Sequence, residues 1–291
     1  MISFTYLEPA HIDEALELLA RYGDEAKGIA GGTGLVNLMK QRLVQPTYLI
    51  GLRRLAGLDR LSYDSVLRIG ALCTHRTIET SRLVQEHAPL LTETFRQVAS
   101  VRIRAMATVG GALAHADPNQ DPPPTLMALD ARVRVRSQQQ AREIPIEEFF
   151  HGYYETVLTP DELITEVIIP PLPAGSGAAF LKFLPQTHDD YATVAVAARV
   201  TLDGDRIAAA RVALGAAAAT PLRATVVENA LRGQTPTPPV LREAAALVAD
   251  VIDPTSDFRG SAAYKRDMAV VFVQRALAQA TTRARTSRGA A

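Results

Sequence analysis

Apolar positions along this chain recur with a period of about 3.6 in some stretches and about 2 in others, and each change of period marks an element. Phe4 to Leu7 reads as a short strand. After Pro9, the residues Ile12, Ala15, Leu16 and Leu19 recur at helical spacing. Asp13 and Glu14 sit in the first turn, where the helix dipole favours negative charge, and Gly23 is a natural stop. Lys27 to Ala30 predicts a strand that runs into Gly31-Gly32-Thr33-Gly34. Leu35, Leu38, Met39 and Leu43 then line one face of a second helix, and Thr47 to Ile50 is the next strand. Together these predict a β–α–β unit in the first ~60 residues.

Beyond it, Leu67 to Ile69 has strand character, and helices are expected from Ile78 to Glu86 and from Ala88 to about Val101. Pro122 to Pro124 carry no amide protons, so they cannot lie within a sheet or mid-helix, and a helical turn resumes at Thr125 to Leu129. Arg132-Val133-Arg134-Val135-Arg136 alternates strictly and predicts a half-exposed strand with its arginines on one solvated edge. Ile144 to Phe150 and Leu163 to Ile169 are further strand candidates. Pro170 to Gly177 reads as a linker. Past it, Tyr191 to Leu202 and Arg206 to Leu214 flank Asp203-Gly204-Asp205 as a hairpin. Leu222 to Leu231, Val240 to Ile252 and Ala262 to Gln279 are expected helices, and Thr281 to Ala291 a frayed tail.

Composition narrows the function. With 291 residues, two or three domains are expected. Lys and Arg number 31 and Asp and Glu 31, so the net charge is zero, which argues against a nucleic acid partner. The single cysteine, Cys73, excludes an internal disulfide, a cysteine-only zinc site and a self-contained iron–sulfur cluster. No signal peptide or membrane-spanning run is visible, and the expectation is a soluble, cytoplasmic protein. The six histidines show no metal-ligand spacing, so no metal site is expected.

Two glycine turns carry the candidate chemistry. In Ala30-Gly31-Gly32-Thr33-Gly34-Leu35-Val36 a strand enters glycines and leaves in a helix, which frees amides for an anion such as a pyrophosphate. A merely tight turn would use the same residues. The second is Thr108-Val109-Gly110-Gly111-Ala112, followed by Asp117 and Asp121. It could close on the same anion, with Asp121 accepting a ribose hydroxyl, or be an ordinary surface loop. Neither turn is a P-loop or a doubly wound dinucleotide fingerprint.

In combination the two segments resemble the flavin-binding subunits and domains of the molybdenum hydroxylases. The first looks like the family's Ala-Gly-Gly-Thr/His turn. The second, Thr108 to Asp121, looks like its Thr-φ-Gly-Gly-x-φ-x-x-Ala-x-Pro-x-x-Asp, where φ is apolar. Further agreement lies in Asp161 to Ile164, Phe180 to Phe183 and Asp189-Asp190-Tyr191-Ala192. The resemblance implies an α+β fold: a two-lobed FAD-binding domain of the PCMH/vanillyl-alcohol-oxidase-like type, then a C-terminal domain of antiparallel sheet plus helices. The lobes would span 1–57 and 58–174, the C-terminal domain 178–280, and a disordered tail 281–291. It implies non-covalent FAD. Ala30 to Val36 and Thr108 to Ala112 would hold the pyrophosphate through their amides, and Asp121 would take an adenosine-side or ribitol hydroxyl. Ile164 and Lys182 would contact the adenine or the flavin ring region, with Tyr191 near the isoalloxazine. It also implies electron transfer, not catalysis, by this chain. The expected partners are a large molybdopterin subunit and a small 2Fe-2S subunit, in a dimer of heterotrimers. A self-sufficient flavin oxidase or dehydrogenase and a flavin-less nucleotide-binding scaffold are the alternatives. Gly34 and Ala112 depart from the polar residues frequent in relatives, which suggests a looser turn. His115 is expected at the surface or packed in its loop, with a flavin contact as the alternative; His188 is expected in a solvated cluster, with tuning of the flavin as the alternative; Tyr153 and Tyr154 are expected to be ordinary core or rim aromatics.

Overall fold

The computed structural model describes residues 2–185, 187 and 190–289, with side chains described to Ser287. His188 and Asp189 lie outside the described residues.

The first lobe is a parallel sheet, β1 (Thr5–Leu7), β2 (Ala26–Ile29) and β3 (Tyr48–Gly51), in the order β1-β3-β2. Helix α1 (Ile12–Tyr22) buries Ala15, Leu16 and Leu19 on it, and α2 (Leu35–Lys40) follows the first glycine turn. The second lobe is built on an antiparallel sheet. Its strands β4 (Leu61–Tyr63), β5 (Leu67–Gly70), β6 (Arg132–Arg136), β7 (Ala141–Pro145) and β10 (Leu163–Ile169) pair in the order β4-β5-β10-β6-β7. A small hairpin, β8 (Phe150–Gly152) and β9 (Glu155–Thr156), occupies the second half of the Ile144–Phe150 candidate, which Pro145 and a 3₁₀ turn divide. Because β6 lies between β10 and β7, its arginine face is not a sheet edge. Arg134 reaches Glu143 and Glu166, and Arg136 reaches Asp13 of the first lobe.

Both long helices expected between β5 and β6 are broken. Ser81 ends α3 (His75–Thr80), and its hydroxyl accepts the Val84 amide at 3.3 Å, so that α4 (Arg82–His87) starts afresh. Helix α5 (Pro89–Arg96) stops before Ala99, which takes φ +39°, and α6 (Val101–Arg104) begins on a new axis. The second glycine turn opens α7 (Val109–His115). Pro122 to Pro124 form the first turn of α8 (Pro122–Ala128), where missing amides leave nothing unsatisfied.

The C-terminal sheet runs β11 (Ser176–Phe183), β12 (Val194–Asp203), β13 (Arg206–Gly215) and β14 (Leu222–Arg223), all antiparallel. It is buried on both faces, which explains the continuous apolar run of β12. Ala195 and Ala197 face the second lobe's core, and their small size lets α8 come close. Val194, Val196, Ala198 and Val200 face the helices α9 (Thr225–Leu231), α10 (Pro238–Ala246) and α11 (Ala262–Gly289). The expected frayed tail is instead helical through Gly289. The reason is Gly177, where a Cβ would stand 2.2 Å from the Ala280 carbonyl oxygen and the Ala284 amide nitrogen. The glycine lets α11 lie backbone-on-backbone against β11, burying Thr281 and Ala284.

Candidate functional site

The two glycine turns meet where the lobes join. A Cβ on Gly31 would stand 1.9 Å from the Met106 carbonyl oxygen, and one on Gly111 would come 4.0 Å from the Ala30 Cβ. Gly32 has φ +70°, a backbone conformation that favours glycine. Among the described residues, the amides of Gly31, Gly32, Thr33, Gly34 and Leu35 donate to no protein acceptor; the first bonds of the following helix are Val36 N to Gly32 O and then Asn37 N and Leu38 N to Gly34 O. Five adjacent amides without a partner form a cradle for an anion.

The second turn differs from what the sequence suggested. Val109 N donates to Cys73 O at 3.0 Å, Gly110 N to Ala71 O at 2.9 Å and Ala112 N to Thr108 O at 2.9 Å. Gly111 N donates to the Thr108 hydroxyl at 3.1 Å. Its amides are therefore engaged within the chain, and the expectation of a second amide cradle is corrected: carbonyls from the loop after β5 take those of Val109 and Gly110, and Thr108 takes those of Gly111 and Ala112. What remains is a wall whose exposed glycine, Gly111, lets a ligand approach closely, while Gly110 is buried against Ala71.

The space over Gly34 is filled. The His115 ring stands where a Cβ on Gly34 would meet Nε2 at 2.7 Å, so the glycine does not loosen this end of the turn. His115 also meets Tyr154 edge to face, with centroids 5.2 Å apart, and burial lowers its pKa, opposed by Asp117. It packs within its loop, as expected. Tyr154 is more than a rim aromatic: its hydroxyl donates to Asp117 Oδ2 at 3.2 Å. Asp117 Oδ1 accepts both the amide and the side chain of Asn119 at 3.0 Å, so Asp117 braces the loop that leads to Asp121.

Asp121 and Lys182 form the polar centre. The loop before α8 is tied to the C-terminal sheet, where Ala216 N donates to Pro118 O at 2.9 Å. This brings Asp121 to the end of β11. Lys182 Nζ donates to Asp121 Oδ2 at 2.8 Å and to Gln97 O at 3.0 Å, and both side chains are almost wholly buried. Burial pushes the Asp121 carboxyl up to about 6 against the pull of Lys182. Its Oδ1 is buried with no partner among the described residues, an acceptor that calls for a donor such as a hydroxyl. Lys182 uses two of its three protons here. Beside the pair, a cleft of about 400 Å³ opens between Arg96, Gln97, Arg104 and Leu184.

Tyr191 is near this centre, 42% exposed, with its phenol pKa raised by burial and then by Asp117. Ile164 is only loosely joined to it. It sits at the β10 bulge next to Thr165, whose carbonyl accepts the Ala71 amide, and Ala71 in turn accepts Gly110. Cys73 is a small buried group, its thiol pushed up to about 12 by burial. The described residues contain no cluster of three His, Cys, Asp or Glu able to hold a metal. Sequence reading missed Gln97, which acts through its backbone carbonyl, and Arg259, which pairs with Asp190 from the C-terminal domain. No local motif marks either.

The free amides, the glycine wall and the unpaired Asp121 oxygen fit a nucleotide that carries a pyrophosphate and hydroxyls. Comparison with known proteins agrees. Residues 2–172 match the family model described as the FAD binding domain in molybdopterin dehydrogenase, and 179–280 that of the CO dehydrogenase flavoprotein C-terminal domain. The chain is 38% identical over 288 residues to the 6-hydroxypseudooxynicotine dehydrogenase complex subunit alpha of Paenarthrobacter nicotinovorans, covering 98% of this chain and 97% of that one. It is 35% identical over 284 residues to the carbon monoxide dehydrogenase medium chain of Afipia carboxidovorans, covering 97% and 98%. Among solved structures, it superposes on a chain of carbon monoxide dehydrogenase from Hydrogenophaga pseudoflava, in a form lacking the Mo-pyranopterin moiety. The TM-score is 0.94 at 35% identity, covering 97% of this chain and 99% of that one.

Proposed function

The chain belongs to the medium, FAD-binding subunits of the molybdenum hydroxylase-type dehydrogenases, and on that premise we propose that it relays electrons between partner subunits and an external acceptor. The electrons arrive from a large molybdopterin subunit through 2Fe-2S clusters on a small subunit. FAD is the cofactor, and when bound it supplies the exchange of electrons; binding, orientation and tuning fall to the chain.

Within the first turn, Ala30 to Val36, the free amides of Gly31 to Leu35 hold the pyrophosphate, while that of Val36 is spent on Gly32 O. Thr108, Gly110, Gly111 and Ala112 form the facing wall. Asp121 accepts an adenosine-side or ribitol hydroxyl on its unpaired oxygen, and Lys182 keeps that carboxylate in place. Asp117 sets the loop, Ile164 and Lys182 flank the adenine or ring region, and Tyr191 stands beside the isoalloxazine. FAD is held without a covalent bond. Residues 1–57 and 58–174 act as the two binding lobes and 178–280 as the C-terminal domain. The assembly is a dimer of heterotrimers in the cytoplasm; no helix among the described residues is long and apolar enough to cross a membrane.

The first glycine turn, with its unpartnered amides closed against the second lobe, carries this reading. Gly32→Asp tests it. An Asp there strains a φ of +70° and sets a carboxylate against a pyrophosphate. The variant is expected to fold and to lose flavin through purification. A folded variant that keeps its flavin contradicts the assignment.

A further inference from the structure

Arg259 lies on a tight turn just ahead of α11. Asp257 and Gly260 close that turn with reciprocal backbone hydrogen bonds of 3.1 Å. The Asp257 carboxylate accepts the Arg259 amide at 2.8 Å and pairs with Lys265 Nζ at 2.9 Å. Lys265, buried in the first turns of α11, also donates to Thr255 O at 2.9 Å. The turn is thus anchored to the longest helix of the molecule.

From this anchor the guanidinium reaches back over the site. Arg259 Nη2 donates to Asp190 Oδ1 at 2.7 Å, and the same oxygen accepts the Tyr191 amide at 2.7 Å. The guanidinium carbon lies 5.7 Å from the centre of the Tyr191 ring and 4.2 Å from that of Phe258. One cation therefore holds Tyr191 twice, through its backbone by way of Asp190 and through its ring face. Arg259 is 15% exposed, and its Nε is buried with no acceptor among the described residues. A buried donor left unpaired weakens the fold, so the contact is not explained as a surface ion pair optimised for stability. The Arg259 hydrogen bond, and more weakly the charge of Lys182, hold the Asp190 carboxyl below its usual range.

We propose that Arg259 is a positioning residue for the flavin site: from the C-terminal domain it fixes Tyr191 at the Asp121–Lys182 end of the cofactor cleft. The inference rests on the reading that Tyr191 stands beside the isoalloxazine. It adds that the turn ahead of α11, 68 positions beyond Tyr191, helps set the ring's surroundings.

The test uses the full-length protein carrying FAD, with two readouts besides activity. One is flavin fluorescence per bound FAD, which a tyrosine ring against the isoalloxazine quenches. The other is amide exchange of the segment from Tyr191 to Val194. Arg259→Met is expected to raise the fluorescence several-fold and to speed exchange about tenfold. Arg259→Lys restores part of the quenching, because an ammonium keeps the charge pair with Asp190 but loses the planar stack. Asp190→Asn shifts both readouts in the same direction by a smaller amount, and it decides the question if Arg259→Met does not fold. Tyr191→Ala is the control and gives full release of fluorescence. If Tyr191→Ala releases fluorescence while Arg259→Met and Asp190→Asn match the wild type in both readouts, Arg259 has no positioning role and the placement of Tyr191 stands. If Tyr191→Ala leaves fluorescence unchanged, the placement of Tyr191 fails and the inference with it.

Discussion

A methyl group at Gly34 and one at Gly31 look alike in sequence and differ in consequence. At Gly34 it meets the end of the His115 side chain, which can turn aside. Gly34→Ala is therefore expected to cost about 1–2 kcal/mol and to be rescued by His115→Ala, as a thermal double-mutant cycle will measure. At Gly31 it meets the Met106 backbone carbonyl, which cannot move without parting the lobes. Gly31→Ala should cost about 3 kcal/mol and release the flavin, with no rescue from any side-chain change nearby. Asp121 makes a third residue-scale prediction, in pH. Its carboxyl titrates at about 6 in the folded chain, above the ordinary carboxylate range, because it is buried. The folded state then binds more protons than the unfolded one between the two values, so this group's effect lowers stability as pH rises towards 6. The whole penalty, up to about 3 kcal/mol, is present at pH 7 and absent below pH 4. In flavin-free protein, urea unfolding at pH 4 and pH 7 should show wild type losing stability relative to Asp121→Asn. Equal pH dependence in the two would remove Asp121 as a buried charge.

At the scale of elements, what could be read in the sequence was what local periodicity decides. The first β–α–β unit and the strands Arg132–Arg136 and Leu163–Ile169 follow from spacing alone. The breaks at Ser81 and Ala99 do not, because a hydroxyl cap and a left-handed backbone are selected by tertiary packing. The last turns of α11 have no apolar stripe to betray them, and they are helical because Gly177 lets them rest on β11. Gly177→Ala should accordingly cost about 3 kcal/mol or more and raise amide exchange in the Ala280–Ala284 region first. The site divides in the same way. The glycine turns and Asp121 were legible as motifs, but the engagement of the Val109 and Gly110 amides was not, since their acceptors Cys73 and Ala71 come from a distant loop. Arg259 was invisible because its partner Asp190 is 69 positions away.

The molecule as a whole is held by charges that cross between its units. Asp130, at φ +52° before β6, accepts Arg199 Nη2 at 2.6 Å and Arg211 Nε at 2.7 Å from the C-terminal sheet. Burial, which raises its pKa, is outweighed by the hydrogen bonds from Arg211 and Arg199, so the carboxyl titrates below its usual range. That contribution is present above the ordinary carboxylate pKa and is lost as pH falls through the lower one. Asp130→Ala would strand the buried Arg199. It is expected to cost about 2–3 kcal/mol at pH 7, less than a fully buried pair because Asp130 is partly exposed. These links tie the C-terminal domain to the lobes that hold the cofactor, as a relay of fixed geometry requires. Whether the chain works as the flavin carrier of an assembled complex is decided by a metal and flavin count on the complex purified through a tag on this chain. Acid extraction should release one intact FAD per copy of this chain, and the co-purifying subunits should contain molybdenum and four iron atoms, the content of two 2Fe-2S clusters. A complex that holds the molybdenum and iron but no flavin would contradict the account.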